Sequence, residues 1–242
     1  MKKYNGVIIY NGASRIDGKD IVVIATGLTS KSTNTKTGDM VQTWILRADV
    51  EPHHAIKTGA DVSICGDCVH RGINGKERTC YVTTHQAPLS VYRAWKRGNY
   101  PDMTGDLTSA AELLNNKMIR LGSYGDPAAV PVYVWQAITA TVTSWTGYTH
   151  QWKGKNDAYA KFCMASADSE KDRSNAIKKG FRTFRIKTEA MPVLKGESVC
   201  PATTAAALDC ATCGACKGTT GSRKGTIVLD VHGSGSKWFK AA

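Results

Sequence analysis

The fold class follows from residues 117–150, which read KMIRLGSYGDPAAVPVYVWQAITATVTSWTGYTH. The apolar run at 118–122 ends in a Gly-Asp-Pro turn and is predicted to be a strand. Pro131 suits the first turn of a helix, and residues 144–149 again have the pattern of a strand. The predicted helix has four large apolar side chains on one face: Val134, Trp135, Ile138 and Val142. A strand, a helix and a further strand in succession predict parallel pairing with a right-handed crossover.

The same alternation continues toward the end of the chain. Strands are predicted at 162–165, at 181–186, near Val199 and at 226–231, and Ser169 with Asp172 resembles a helix-capping box. The expected fold is therefore α/β, with an open parallel sheet or a partial (β/α) barrel in the C-terminal half.

Two other segments precede this half. Residues 1–55 are predicted to be a β-rich segment, and residues 56–116 a cysteine-rich irregular insertion with two helices. Residues 117–242 form the predicted β/α core, and we expect all three segments to make one compact unit.

Charge and hydropathy restrict the class of partner. The chain has 242 residues, and 32 Lys and Arg against 20 Asp and Glu give a net charge of +12. This balance favours an anionic partner such as nucleic acid or a nucleotide, although a solvated basic surface explains the scattered charges equally well. No apolar run is long enough to cross a bilayer and the first residues lack an apolar signal segment, so we expect a cytoplasmic protein with no membrane partner.

The cysteines near the end of the chain are the strongest functional signal. In reducing cytoplasm, closely spaced thiolates are expected to bind metal rather than to form disulfides. Three cysteines at two-residue spacing, with a distant cysteine next to proline, favour a [4Fe-4S] cluster. The predicted ligands are Cys200, Cys210, Cys213 and Cys216. A structural zinc site is the alternative, because four thiolates also satisfy tetrahedral zinc.

A second group contains Cys65, Cys68 and Cys80. These three sulfurs need a fourth partner to complete a second metal site, and Cys163 is the predicted sulfur. His70 and His85 are the nitrogen alternatives. The group could form a separate zinc or iron-sulfur site, or share ligands with the terminal group. Cys163 on its own apolar strand is also explained as a small buried hydrophobic residue.

Polar residues just past the predicted strands are candidates for substrate binding. Asp126 follows one strand and His150 another, and Ser166 or Asp168 is expected at the same edge together with Cys200. A histidine there can act as an acid, a base or a ligand, or simply be a satisfied structural side chain. The chain has no P-loop, no G-x-S-x-G elbow and no zinc-protease helix.

Four runs carry a resemblance to a known family: residues 65–72, 148–152, 181–185, and 196–201 with the terminal cysteines. Together they resemble a family of bacteriophage-encoded, cysteine-rich proteins to which no reaction is assigned. The resemblance implies a protein working in the host bacterial cytoplasm, with a region similar to a radical-SAM partial barrel and an iron-sulfur cluster. The two-residue spacing of the terminal cysteines departs from the C-x3-C-x2-C pattern of the usual radical-SAM enzymes.

Three functional hypotheses follow from these observations. The first is a phage iron-sulfur protein for electron transfer or cluster-dependent chemistry on a bound substrate. The second is a zinc-stabilised nucleic-acid-binding protein, which the charge and the paired cysteines would suit. The third is an atypical radical enzyme that uses S-adenosylmethionine.

Overall fold

The computed structural model describes residues 4–32, 34–72, 77–204, 208–220, 225–233 and 235–239. A nine-stranded sheet has the order β1-β2-β3-β4-β5-β6-β7-β9-β8. The strands are β1 Gly6–Ala13, β2 Asp20–Thr26, β3 Val41–Arg47, β4 Met118–Tyr124, β5 Ser144–Thr149, β6 Met164–Ala167, β7 Thr183–Lys187, β8 Glu197–Val199 and β9 Thr226–Asp230. The first three strands pair antiparallel, and every neighbouring pair from β3 onward is parallel.

Helices connect and cover these strands. They are α1 Pro52–Thr58, α2 Val62–Cys65, α3 Ala87–Lys96, α4 Leu107–Leu113, α5 Val132–Thr139, α6 Glu170–Lys178, α7 Pro201–Thr204 and α8 Cys210–Cys213. Their starts follow capping chemistry: Ser169 accepts a hydrogen bond from the Asp172 amide at 3.1 Å, and Asp106 accepts one from the Ser109 amide, also at 3.1 Å.

The main apolar core lies between β1–β5 and the helices α4 and α5. It contains the interior residues of the five strands together with the predicted helix face, Val134, Trp135, Ile138 and Val142. Trp135 is fully buried, and its indole nitrogen donates to the Pro127 carbonyl oxygen at 2.9 Å. This hydrogen bond satisfies the one polar atom of the side chain, so the ring can be buried without penalty.

The predicted α/β class with an open, mostly parallel sheet is confirmed. The N-terminal strands are not a separate sheet, because β3 pairs with β4, with Val41 opposite Ile119. At the end of the predicted β-rich segment, the chain instead forms the seven-residue helix α1. Such a short helix is difficult to predict because its stability comes from packing and not from local propensity.

Among the described residues, the structure contains no helix with the combined length and apolar character needed to cross a membrane.

Candidate metal centre

The carboxyl ends of the parallel strands carry the polar residues expected at that edge. Asp126 lies two residues after β4, while His150, Asp168 and Cys200 directly follow β5, β6 and β8. Ligands of open α/β sheets bind at this edge. The connections after these strands therefore form part of the candidate site.

A cavity of about 430 Å³ lies against one face of the parallel strands. Its strand residues are two or four apart in sequence, as in Arg120 and Tyr124 on β4, Thr146 and Tyr148 on β5, and Phe184 and Ile186 on β7. Because side chains alternate between the faces of a sheet, all of them lie on the same face. We call this space the cysteine cavity, because seven of the eight cysteines line it: Cys65, Cys68, Cys80, Cys200, Cys210, Cys213 and Cys216.

The terminal cysteines reach the cavity through short, well-capped elements. Asp209 caps α8 by accepting a hydrogen bond from the Thr212 amide at 2.7 Å. Gly214 ends this helix with a φ of 58°, a left-handed conformation that glycine adopts at little cost. The chain can therefore turn and bring Cys216 to the cavity that Cys210 and Cys213 also line.

Burial controls the protonation of these thiols. It raises the pKa of Cys200 and of Cys210, and it raises the pKa of Cys216 to about 12. The negative charges of the neighbouring thiolates act in the same direction. A bound cation would reverse this effect, because cysteine binds metal as the thiolate.

Two side chains on the sheet are placed to stabilise negative charge at the terminal cysteines. Tyr148 makes a hydrogen bond to the Cys216 sulfur that lowers the pKa of this thiol, although burial has the larger effect. The Arg120 guanidinium acts in the same way on Cys210, lowering its pKa against the larger effect of burial. Arg120 also contacts the Tyr81 hydroxyl and lies 5.8 Å from the centre of the Tyr148 ring.

The cysteines of the insertion are fixed by buried polar contacts. Cys65 ends α2, and its carbonyl oxygen accepts from the Gln151 side chain at 3.1 Å. The Arg71 guanidinium donates to the Gly66 carbonyl oxygen and to the Asp61 carboxylate, each at 2.6 Å. Both members of this ion pair are buried, so a paired charge helps to hold the irregular loop.

Burial dominates the chemistry of this second group as well. It raises the pKa of Cys65 well above its usual range, and the charges of Cys68 and Asp61 raise it further. Burial also raises the pKa of Cys80, against an opposing effect of Arg78. These thiols therefore stay protonated near neutral pH unless a cation is bound.

Cys163, the predicted fourth sulfur, lies elsewhere. It is fully buried in the main apolar core and is not among the residues that line the cysteine cavity. A side chain on Gly147 would approach its sulfur to 2.9 Å, so the packing is close. The apolar explanation of Cys163 agrees with this position. His85, a nitrogen alternative, packs against His53 at 6.3 Å between ring centres and does not line the cavity either.

Asp126 lines the cavity but uses its carboxylate to hold the chain. Its oxygens accept from the backbone amides of Ala128 at 2.9 Å and His150 at 2.7 Å. Burial raises its pKa in spite of these hydrogen bonds. Because it joins the ends of β4 and β5, Asp126 acts on the site by positioning His150.

His150 belongs to a buried group that also contains His70 and Asp168. The His70 Nε2 atom lies 2.9 Å from Asp168 Oδ1, and the His150 Nε2 atom lies 3.4 Å from Asp168 Oδ2. Burial alone would lower the pKa of His150, but the negative charges of Cys68 and Asp168 raise it well above its usual range. Burial would raise the pKa of Asp168, yet the two imidazoles hold it far below the usual value.

The separations of the possible ligand atoms differ between these groups. Within the described ranges, only His70, His150 and Asp168 offer three ligand atoms that all lie within 4.8 Å of one another. The cysteine sulfurs therefore line one cavity, but among the described residues no three of them lie as close together as the ligands of a single metal ion. A tetrahedral zinc ion with bonds of about 2.3 Å would bring its sulfurs within about 4 Å of one another.

Sequence reasoning missed Arg120, Tyr148 and the His70–Asp168 contact. Arg120 interrupts an apolar strand at a position that shares a face with Tyr124, and this period of two was the available signal. No local pattern could connect His70 with Asp168, which are 98 positions apart in the sequence.

Comparisons with protein-family models, with curated proteins and with solved structures find no match to this chain.

Proposed function

We propose that this chain is an iron-sulfur protein that binds a [4Fe-4S] cluster through Cys200, Cys210, Cys213 and Cys216. The observation that carries the proposal is the convergence of these four cysteines on one cavity against a face of the parallel strands. Four thiolates, three of them at two-residue spacing, are a donor set that suits such a cluster.

The pattern of cysteines in the sequence favours a cluster over a single zinc ion, because three ligands follow one another at two-residue spacing. A cubane binds each thiolate through a different iron, so its ligands stand farther apart than four sulfurs on one ion. Among the described residues, no three cysteine sulfurs lie within 4.8 Å of one another, so a single zinc ion would require them to move closer together.

The surroundings also suit a negatively charged group. Arg120 and Tyr148 both act on the terminal thiols, as positive charge and as hydrogen-bond donor respectively. Hydrogen bonds and charges near the sulfurs of a cluster tune its reduction potential. We expect neutral replacements at Arg120 to shift that potential to more negative values.

The cavity adds room for a substrate beside the cluster. A volume of about 430 Å³, lined on the sheet side mainly by aromatic and aliphatic side chains, is within the range of small-molecule sites. A cluster supplies one electron at a time or, with an open iron, a Lewis acid. We propose electron transfer or cluster-dependent chemistry on such a substrate, in the cytoplasm of a bacterial host if the resemblance to phage proteins holds.

Anaerobic purification tests this proposal. We expect a brown protein with iron and inorganic sulfide in stoichiometric amounts and a paramagnetic resonance signal after reduction. Cys213→Ser should abolish or strongly alter that signal, because it removes one ligand. Cys163→Ala is the matched control, since this cysteine lies in the apolar core, and its iron and sulfide content should equal that of the wild type.

Other results of these experiments would support one of the two alternative functions. A colourless protein that holds zinc and no sulfide, and that binds nucleic acid, would support the zinc-stabilised nucleic-acid-binding protein. Reductive cleavage of S-adenosylmethionine by the reconstituted protein would support an atypical radical-SAM enzyme. A protein with neither iron nor sulfide after careful reconstitution contradicts the proposal.

A further inference from the structure

The group formed by His70, His150 and Asp168, here called the histidine-carboxylate trio, is separate from the terminal cysteines. Its members come from three elements: a 3-10 helix at Val69–Arg71, the end of β5 and the end of β6. The exposed fractions of the three side chains are 10% for His70, 17% for His150 and 3% for Asp168. The site therefore brings distant parts of the chain together in a largely dry environment.

The distances within the trio match those between the ligands of one metal ion. Nitrogen and carboxylate ligands lie about 2.1 Å from a transition ion, so two neighbouring ligand atoms stand roughly 3 Å apart. The observed separations are 2.9 Å from His70 to Asp168 and 3.4 Å from His150 to Asp168. All three ligand atoms lie within 4.8 Å of one another.

Two of these atoms are buried and contact each other. His150 Nε2 and Asp168 Oδ2 lie 3.4 Å apart as an ion pair, and among the described residues neither atom has a hydrogen bond of regular geometry. A buried polar atom without a good hydrogen bond costs about 1–3 kcal/mol, and more when the group is charged. A cation between the two atoms would replace this long contact with two metal–ligand bonds.

The rings are held in the orientation that a ligand needs. His70 Nδ1 lies 2.7 Å from the Thr79 hydroxyl, which leaves Nε2 directed at Asp168. Phe239 stacks on the same ring at 5.8 Å between centres. A polar partner on the second ring nitrogen is the usual companion of a metal-ligating histidine.

From this geometry we infer that His70, His150 and Asp168 bind one divalent first-row transition ion. Two imidazoles and one carboxylate are a donor set that suits iron, cobalt or zinc in the divalent state. Both histidines line the cysteine cavity, whereas Asp168 lies behind them, so the ion is reached from the cavity. A ligand in the cavity can therefore bind it directly.

Cobalt(II) is the probe for the test. The anaerobically purified wild-type protein is dialysed against Co²⁺, bound cobalt is counted by elemental analysis, and the cobalt K-edge X-ray absorption spectrum identifies its neighbours without interference from iron. We expect one Co²⁺ per chain with mainly nitrogen and oxygen neighbours and imidazole scattering. At most one sulfur is compatible with the site, because Cys68 lies within hydrogen-bonding reach of the His150 ring.

Variants locate the ion. Asp168→Asn and His70→Gln should each weaken Co²⁺ binding by at least about tenfold, since each removes a ligand. His54→Gln is the control, because this histidine is exposed on α1 and should leave the affinity unchanged. Circular dichroism checks folding, and the wild-type spectrum decides the matter if a variant does not fold.

The inference fails if the wild type binds no cobalt, if the spectrum shows mainly sulfur, or if Asp168→Asn binds cobalt as well as the wild type. The trio would then be a hydrogen-bonded structural network. The result is independent of the proposed cluster, because Cys213→Ser should lose iron and sulfide but keep the nitrogen-ligated cobalt.

Discussion

The two halves of the sheet are stabilised in different ways. The half formed by β1–β5 packs one large apolar cluster, whereas the half formed by β6–β9 contains two small ones of five and four residues. Of the charged residues on the described strands, those buried as whole residues are Arg185 and Lys187, and both belong to β7 in the second half. The cysteines of the terminal group also lie here. The comparison indicates that the burial of apolar side chains stabilises the first half. The second half depends on paired charges and, by our proposal, on a bound metal cluster.

The largest expected effect comes from removing the cluster. Because a metal group that binds only the folded state adds its binding free energy to stability, the metal-free protein should lose protection in the second half. We expect the amides of β9 to exchange with deuterium at least about 100-fold faster in the metal-free form, which is roughly the effect of a ligand at a hundred times its dissociation constant. Hydrogen exchange with mass spectrometry measures this.

The amides of β2, in the middle of the antiparallel strands, are the internal control and should change little. An equal loss of protection across the whole sheet would contradict the division into two halves.

The next effect tests the apolar half. Trp135→Ala should lower the free energy of unfolding by about 3–5 kcal/mol, because it leaves a cavity in the main core. Trp135→Phe keeps most of the ring and loses the hydrogen bond to Pro127, so it should cost less. Denaturant unfolding gives both values. A cost below about 1 kcal/mol for the alanine variant would show that this cluster is not the main source of stability.

A buried ion pair tests the polar half. Arg185 donates to both oxygens of Glu197 at 2.7 Å, and both side chains are fully buried. Glu197→Gln leaves the guanidinium without its partner charge and should cost about 3–5 kcal/mol. Glu51→Gln is the matched control, because its pair with Arg93 is exposed, and it should cost less than about 1 kcal/mol.

The same pair predicts a dependence on pH. Burial would raise the pKa of Glu197, but the hydrogen bonds from Arg185 hold it below its usual value. A lowered folded-state pKa means that the stabilisation is complete above the unfolded value of about 4.3 and disappears as the pH falls through the folded value. The difference in stability between wild type and Glu197→Gln should therefore be constant at neutral pH and shrink below about pH 4. A difference that grows in acid would contradict this assignment.

The smallest effect concerns a single cap. Ser169→Ala removes the hydrogen bond to the Asp172 amide at the start of α6 and should cost about 1 kcal/mol. Ser169→Asp retains an acceptor and should restore most of that stability. Thermal unfolding separates the two variants, and equal melting temperatures would show that the cap is not needed.

The sequence predicted the fold better than the site, for physical reasons. Strand β5 and the helix α5 were predicted because their apolar residues follow the periods of a strand and a helix. The edge positions of Asp126, His150 and Cys200 followed from strand direction alone. The contact of His70 with Asp168 and the effect of the Arg120 charge on Cys210 depend on tertiary packing, which no local pattern encodes. Cys163 shows the same limit. The number of cysteines suggested that it is a metal ligand, whereas it packs in the main apolar core.

The strand order has a consequence for biosynthesis. Strand β8 joins the sheet only through β9, which is inserted between β7 and β8, and the Cys200 amide donates to Val228 of β9 at 2.9 Å. A ribosome releases β8 and all four terminal cysteines before it releases β9. Cys200 therefore reaches its final position only after β9 has emerged, so these thiols must stay reduced and free of wrong metals until β9 has been synthesised.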